Sequence, residues 1–372
     1  MLSFKTLFLS ALAAAGLVAV GDADGLNARS VAGATKYLGT AIKIKVMADS
    51  DANTLATNFD DFGAITPENE MKFPALEPAR GVFNYTAADI IVAQAQASGQ
   101  ILRCHNLVWH ANNPPWLLKG GFDNATLISI LRNHITNVVG HYKGKCYAWD
   151  VVNEALNDDG SLRTNTSIWY STIGPAYIPI AFAAAAEADP AAKLYYNDYS
   201  CEKNNAKAKA VRNLIGTIRA YGAPIHGVGL QAHLTTGQVA NSSVLASNLQ
   251  AFADLDVEVA YTELDLSTPA DNPNLAQQAA DYATVVSACK LVPKCVGVSL
   301  WGFTDKYTWI NNSLPLPWSA DYTQKPAYTS IADTWCAGDH WDQCGGLLFK
   351  GCPGCASPYS CTFVNPWASF CL

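Results

Sequence analysis

The sequence predicts an α/β protein: a (β/α)8 TIM barrel followed by a small disulfide-rich β module at the C-terminus. Three observations carry this expectation. Short, apolar, β-prone runs alternate with longer Ala-rich segments. Most of those runs end in a polar residue. Six of the 11 cysteines fall at or after Cys336. Strand and helix signals in alternation indicate a parallel sheet covered by helices. The rival is an open doubly wound sheet, and the lack of a Gly-x-Gly-x-x-Gly phosphate turn counts against it.

In chain order, residues 1–23 read as a secretory signal. Lys5 gives a charged start, Leu7 to Val20 is apolar, and small residues follow from Ala19 to Ala23. A membrane anchor is the rival reading, but the run is short for a span. No later segment is apolar enough to cross a membrane, so the mature chain is expected outside the cell. The barrel is expected over residues 24–333. Its strand signals are Tyr37–Ile42, Ala64–Ile65 leading into Pro67, Ile101–Trp109, Cys146–Asn153, Lys193–Asn197, Gly227–His233, Val257–Leu264 and Val296–Phe303. Helix signals between them include Ala87–Ser98, Asn124–Tyr142, Ile178–Ala188, Asn205–Tyr221, Val244–Ala253 and Leu275–Lys290. Several begin after Asp, Asn, Ser or Thr, as capping requires. A very short linker at 334–339 leads to the module at 340–372.

Composition narrows the function. Of 372 residues, 50% are hydrophobic and 15% charged, enough for one large core and something small beside it. The net charge is -7 with no basic run, which argues against a nucleic-acid partner and favours a neutral polymer. Dense cysteine in a tail too small for its own core indicates disulfides in an oxidising compartment. Zinc is the rival, and paired Cys-x-x-Cys knuckles are missing. No metal or cofactor is expected, and the chain is expected to act as a monomer. Asn84, Asn124, Asn165, Asn241 and Asn311 lie in Asn-x-Ser/Thr sequons.

The polar strand ends carry the chemistry. They are Glu68 to Lys72, His105, Glu154, Asn197, His233, Glu263 and Trp301. In a barrel these ends share one face. Glu154 closes the run Trp149-Asp150-Val151-Val152-Asn153, and Glu263 lies within Tyr261-Thr262-Glu263-Leu264-Asp265. A carboxylate at the end of a buried strand is costly without a task or partner. Two of them facing one cleft suit cleavage of a glycosidic bond.

Eight motifs occur in order: TPENEMKF (66–73), GVFNY (81–85), CHNLVWH (104–110), WDVVNEAL (149–156), YNDY (196–199), GLQAHL (229–234), TELD (262–265) and WGFTDKYTW (301–309). With them, residues 25–333 resemble glycoside hydrolase family 10, the endo-β-1,4-xylanases. The resemblance implies a retaining hydrolysis of xylan, with Glu154 as acid/base and Glu263 as nucleophile. It implies that His233 bonds Glu263 and that Asp265 holds the imidazole. Asn153 is expected to bind the sugar 2-hydroxyl and Gln231 another sugar group. Glu68, Asn69 and Lys72 match the distal glycone subsite. His105 and Trp109 match the subsite beside the nucleophile, and Trp301 and Trp309 its aromatic walls. Trp116, Trp149, Trp169 and Trp318 are left as structural or undecided. Cys289 and Cys295 match a short disulfide loop of fungal members. The pairing among Cys104, Cys146 and Cys201 stays open. Cys104 and Asn106 depart from the family pattern.

Residues 340–372 resemble the fungal family 1 carbohydrate-binding module. This implies binding to a cellulose surface through Trp341 and Trp367, and bridges Cys344–Cys361 and Cys355–Cys371. Cys336 with Cys352 would make a third. The family's third flat ring is replaced by Ala368, and a usual glutamine by Phe370, so binding is expected to be weakened.

Overall fold

The computed structural model describes residues 25–33, 35–338, 340–349, 354–355 and 359–372. The signal reading of residues 1–23 lies outside the described residues. So does Cys352 of the expected Cys336–Cys352 bridge.

Eight parallel strands close into a barrel. They span Tyr37–Ile42, Ala64–Pro67, Ile101–Trp109, Ala148–Asn153, Lys193–Asp198, Gly227–Leu230, Glu258–Ser267 and Cys295–Leu300. Each pairs with the next, and the first closes on the last with Thr40 opposite Leu300. The first and fourth strands are buried along their whole length. Burial on both faces is why these strands read as continuous apolar runs rather than alternating ones.

The sixth strand differs from expectation. It stops at Leu230, and a short segment, His233–Thr235, resumes pairing beside the seventh strand. Ala232 sits in the gap with φ 60, a left-handed conformation that non-glycine residues seldom adopt. No glycine or proline marks the break, so the sequence pattern runs straight through it.

Covering helices start on side-chain caps. Asp123 accepts from Thr126 N ahead of Asn124–His141, and Asn205 accepts from Ala208 N ahead of Ala206–Ala220. Asn274 does the same for Gln277 N ahead of Leu275–Lys290. Such a cap stabilises a helix by about 1 kcal/mol. Leu127, Leu131, Ile135 and Val138 turn one face of the first of these helices into the core. Trp149, Trp169 and Trp318 are fully buried there, which makes them packing residues. Truncating such an indole costs about 3–5 kcal/mol. Trp116 is partly buried and donates to Glu77 O at 3.0 Å.

Cys289 is joined to Cys295. A further bridge joins Cys104 to Cys146, tying the third strand to the segment just before the fourth. Cys201 is left as a buried thiol. No described helix is long and apolar enough to cross a membrane.

The segment expected as a linker is structured up to Gly338. The helix Pro326–Cys336 runs into a strand, Ala337–Gly338, that pairs with Gly354–Cys355. Lys290 donates to Thr334 O and Trp335 O at 3.4 Å, and also to Ala337 O. The tail folds as three antiparallel strands, Gln343–Gly345, Ala368–Cys371 and Cys361–Asn365, in that order. Cys344–Cys361 and Cys355–Cys371 staple them. Trp341 and Trp367 are exposed at 67% and 62%. Phe370 is partly exposed and stands opposite Gln343.

Candidate active site

A cleft of about 490 Å³ opens at the C-terminal ends of the strands. Strand twist and parallel pairing bring eight chain segments to this one face. Glu68, Asn69 and Lys72 line it from beyond the second strand, His105 and Trp109 from the third. Asn153 and Glu154 come from the end of the fourth, Gln231 and His233 from the broken sixth, Glu263 from the seventh. Trp301 and Trp309 follow the eighth, and Tyr199 follows the fifth. Asp265 does not line the cleft; it bonds two residues that do.

Glu263 is nearly buried and both of its oxygens are occupied. Asn197 Nδ2 donates to Oε1 at 2.7 Å, and His233 Nε2 lies 3.1 Å from Oε2. His105 Nδ1 is 4.0 Å from Oε1. Burial pushes this carboxyl up. The His233 hydrogen bond, the charges of His105 and His233 and the Asn197 amide outweigh burial and hold it below its ordinary range. His233 is gripped on its other nitrogen by Asp265 Oδ2 at 2.9 Å. Burial works against a charged ring, yet Asp265 and Glu263 push the imidazole up to about 10. Trp309 Nε1 donates to the same Asp265 oxygen at 2.9 Å, and its ring meets His233 edge-on at 5.0 Å.

Glu154 sits one residue past its strand at φ 54. A non-glycine residue held in that region is a common sign of a functional site. Trp109 Nε1 donates to Oε2 at 2.8 Å and Gln231 Nε2 to Oε1 at 3.0 Å. The Gln231 amide also lies 3.3 Å from the Asn153 side-chain amide, which is 2.9 Å from Asn197 Nδ2. A chain of amides therefore links the two carboxylates across the cleft.

At the far end, Lys72 Nζ donates to Asn69 Oδ1 at 2.9 Å and lies 5.5 Å from the Trp109 ring centre. Burial lowers the Lys72 pKa, against the pull of Glu263, Glu68, Glu70 and Glu154. Asn69 Nδ2 donates to Glu68 at 3.2 Å. Trp301 is buried and meets His105 edge-on at 5.2 Å, while Trp309 stays 53% exposed at the rim. Indole walls with a few fixed polar groups suit a sugar, whose rings carry apolar C–H faces and hydroxyl edges.

Sequence reasoning missed several partners. Asn197 appeared there as a polar strand end without a role, yet it bonds Glu263 and is fully buried. Tyr199 lies in the YNDY motif, and its hydroxyl accepts from Arg163 at 2.5 Å. Asp150 holds His105 at 3.0 Å and accepts from the buried Arg103 at 2.8 Å. His110 Nδ1 lies 3.8 Å from Glu154 Oε2, and burial keeps that imidazole below its ordinary value. The amide at Asn106, the second departure from the family pattern, lies 3.2 Å from His105 Nε2.

Comparison with known proteins gives consistent matches. Residues 27–334 match glycosyl hydrolase family 10, and residues 340–367 match the fungal cellulose binding domain. An endo-1,4-beta-xylanase D of Talaromyces funiculosus is 42% identical over 93% of this chain and 95% of its own. An endo-1,4-beta-xylanase A of Fusarium oxysporum f. sp. lycopersici is 44% identical over 84% of this chain and 98% of its own. Among solved structures, a GH10 xylanase from Bispora sp. MEY-1 with xylobiose superposes with a TM-score of 0.81 at 35% identity. That match covers 83% of this chain and 99% of the other.

Proposed function

The chain belongs to glycosyl hydrolase family 10, and we propose that it is a secreted, monomeric endo-1,4-β-xylanase working by double displacement. Glu263 is the nucleophile and Glu154 the acid/base. The observation that carries this reading is the unequal setting of two carboxylates in one cleft. Glu263 is bonded by a charged imidazole and a buried amide, which favour its anion. Glu154 is aimed by two neutral N–H groups, from Trp109 and Gln231.

In the first step a Glu263 oxygen attacks the anomeric carbon. The bond to the leaving oxygen breaks, and Glu154 delivers its proton there. In the second step Glu154 takes a proton from water, which attacks the same carbon and frees Glu263. Two inversions return the starting configuration, and they require the carboxyls to stand about 5–5.5 Å apart. Asn153 serves the 2-hydroxyl of the glycone sugar. Glu68, Asn69 and Lys72 hold the next sugar outward, and Trp301 and Trp309 close over the glycone. Xylose lacks the C6 hydroxymethyl of glucose, and the walls from Lys72, Trp301 and Trp309 favour the slimmer ring.

The barrel (24–333) and the tail (340–372) form separate functional units in this reading, with residues 1–23 as the export signal. The tail belongs to the fungal cellulose-binding family. Trp341 and Trp367 are its stacking rings, and Ala368 in place of a third ring leaves the grip on cellulose weak. Proton NMR of xylan cleavage at early times tests the mechanism. Equatorial anomeric product supports retention; axial product would overturn it. Faster hydrolysis of carboxymethylcellulose than of xylan would overturn the substrate.

A further inference from the structure

The glycone end of the cleft is tied together by a carboxylate outside it. Asp49 lies in the segment after the first strand and caps the helix Ser50–Ala56 with Oδ1, which accepts from Asp51 N and Ala52 N. Its other oxygen, Oδ2, accepts from three side chains of the segment after the eighth strand. These are Lys306 Nζ at 2.7 Å, Tyr307 OH at 2.7 Å and Tyr322 OH at 2.5 Å. The three donors hold the Asp49 carboxyl far below its ordinary range, Lys306 most of all. Tyr307 is held twice: its carbonyl accepts from Lys43 Nζ at 3.0 Å, and that ammonium also bonds the cleft residue Glu68 at 2.9 Å. Trp309 follows two residues later. Its only side-chain bond among the described residues goes to Asp265.

We infer that Asp49 is a positioning residue for substrate binding. It fixes the Lys306–Tyr307 turn and, through it, the height of Trp309 above the glycone. An exposed ion pair of this kind is worth little to stability by itself. Three donors on one oxygen, joining segments more than 250 residues apart in sequence, instead set the relative position of two loops. Small displacements of a binding wall are costly to substrate affinity even when the fold survives. The inference rests on the xylanase reading above.

The test compares wild type with Asp49→Ala and Tyr307→Phe, using xylohexaose hydrolysis and thermal melting on the full chain. Asp49→Ala should raise KM about fivefold or more while kcat stays within about twofold, the pattern of lost binding rather than lost chemistry. Tyr307→Phe removes one donor and keeps the ring, so it should raise KM by a smaller factor. A lowered melting temperature with unchanged KM would assign Asp49 to stability alone and overturn the inference. If Asp49→Ala does not fold, an unchanged KM in Tyr307→Phe overturns it equally. Wild type inactive on xylohexaose would instead end the xylanase reading itself.

Discussion

His233 Nε2 stands 3.1 Å from Glu263 Oε2, with the opposite ring nitrogen 2.9 Å from Asp265. An imidazole between two carboxylates is charged, and its pKa is pushed up to about 10. That value is above the ordinary 6.5, so the stabilisation is complete below 6.5 and is lost as pH rises towards 10. A His233→Gln variant should therefore melt lower than wild type near about pH 6, with the gap shrinking towards about pH 10. Melting curves across that range check this. A gap independent of pH would contradict it.

Asn197 gives Glu263 its shortest hydrogen bond, 2.7 Å from a fully buried amide. A hydrogen bond to a charged group contributes about 1.5–3 kcal/mol. Asn197→Ala should lower kcat/KM on xylan about 10- to 100-fold. This amide helps hold the Glu263 pKa down, so the acid limb of the kcat/KM profile should also move to higher pH if Glu263 acts as its anion. A pH-rate series reads both effects; an unmoved acid limb would contradict the assigned role.

The barrel was legible because its strands are buried on both faces and its helices are capped. Tyr37–Ile42, Ile101–Trp109 and Leu275–Lys290 stand where the pattern predicted them. The break at Gln231-Ala232 was not legible, since nothing in those residue types announces a φ of 60 at Ala232. The candidate barrel residues were legible as motif members, and the structure brings Glu154, Glu263 and their expected neighbours into one cleft, with Asp265 behind it against His233. Asn197 was legible as a polar strand end but not in its role, because its partner Glu263 stands on another strand across the barrel. The Cys104–Cys146 bridge escaped for the same reason. Spacing could not choose among three cysteines, whereas strand pairing places Cys104 opposite Trp149, three residues from Cys146.

That bridge closes a loop of 42 residues. The chain-entropy account gives it about 4 kcal/mol of stabilisation through the unfolded state. A double Cys104→Ser, Cys146→Ser variant should melt well below wild type while keeping near-normal KM at low temperature, since neither cysteine lines the cleft. Denaturant titration measures the difference. Equal midpoints would contradict it.

Trp341 and Trp367 are solvent-exposed flat rings on a module of the fungal cellulose-binding family. Replacing both with Ala in the full chain should leave hydrolysis of soluble xylan unchanged. Retention on crystalline cellulose should fall about tenfold or more, as expected for two lost stacking contacts. Pull-down isotherms measure this. Unchanged retention would place the binding surface elsewhere on the module.

Double displacement requires that Glu263 form a covalent bond to the sugar. A 2-deoxy-2-fluoro-xylobioside with a good leaving group slows breakdown of such an intermediate enough for mass spectrometry. One added fluoroxylobiosyl unit is expected, mapped by peptide sequencing to Glu263. An adduct on any other residue, or turnover through an inverted product without an adduct, would contradict it.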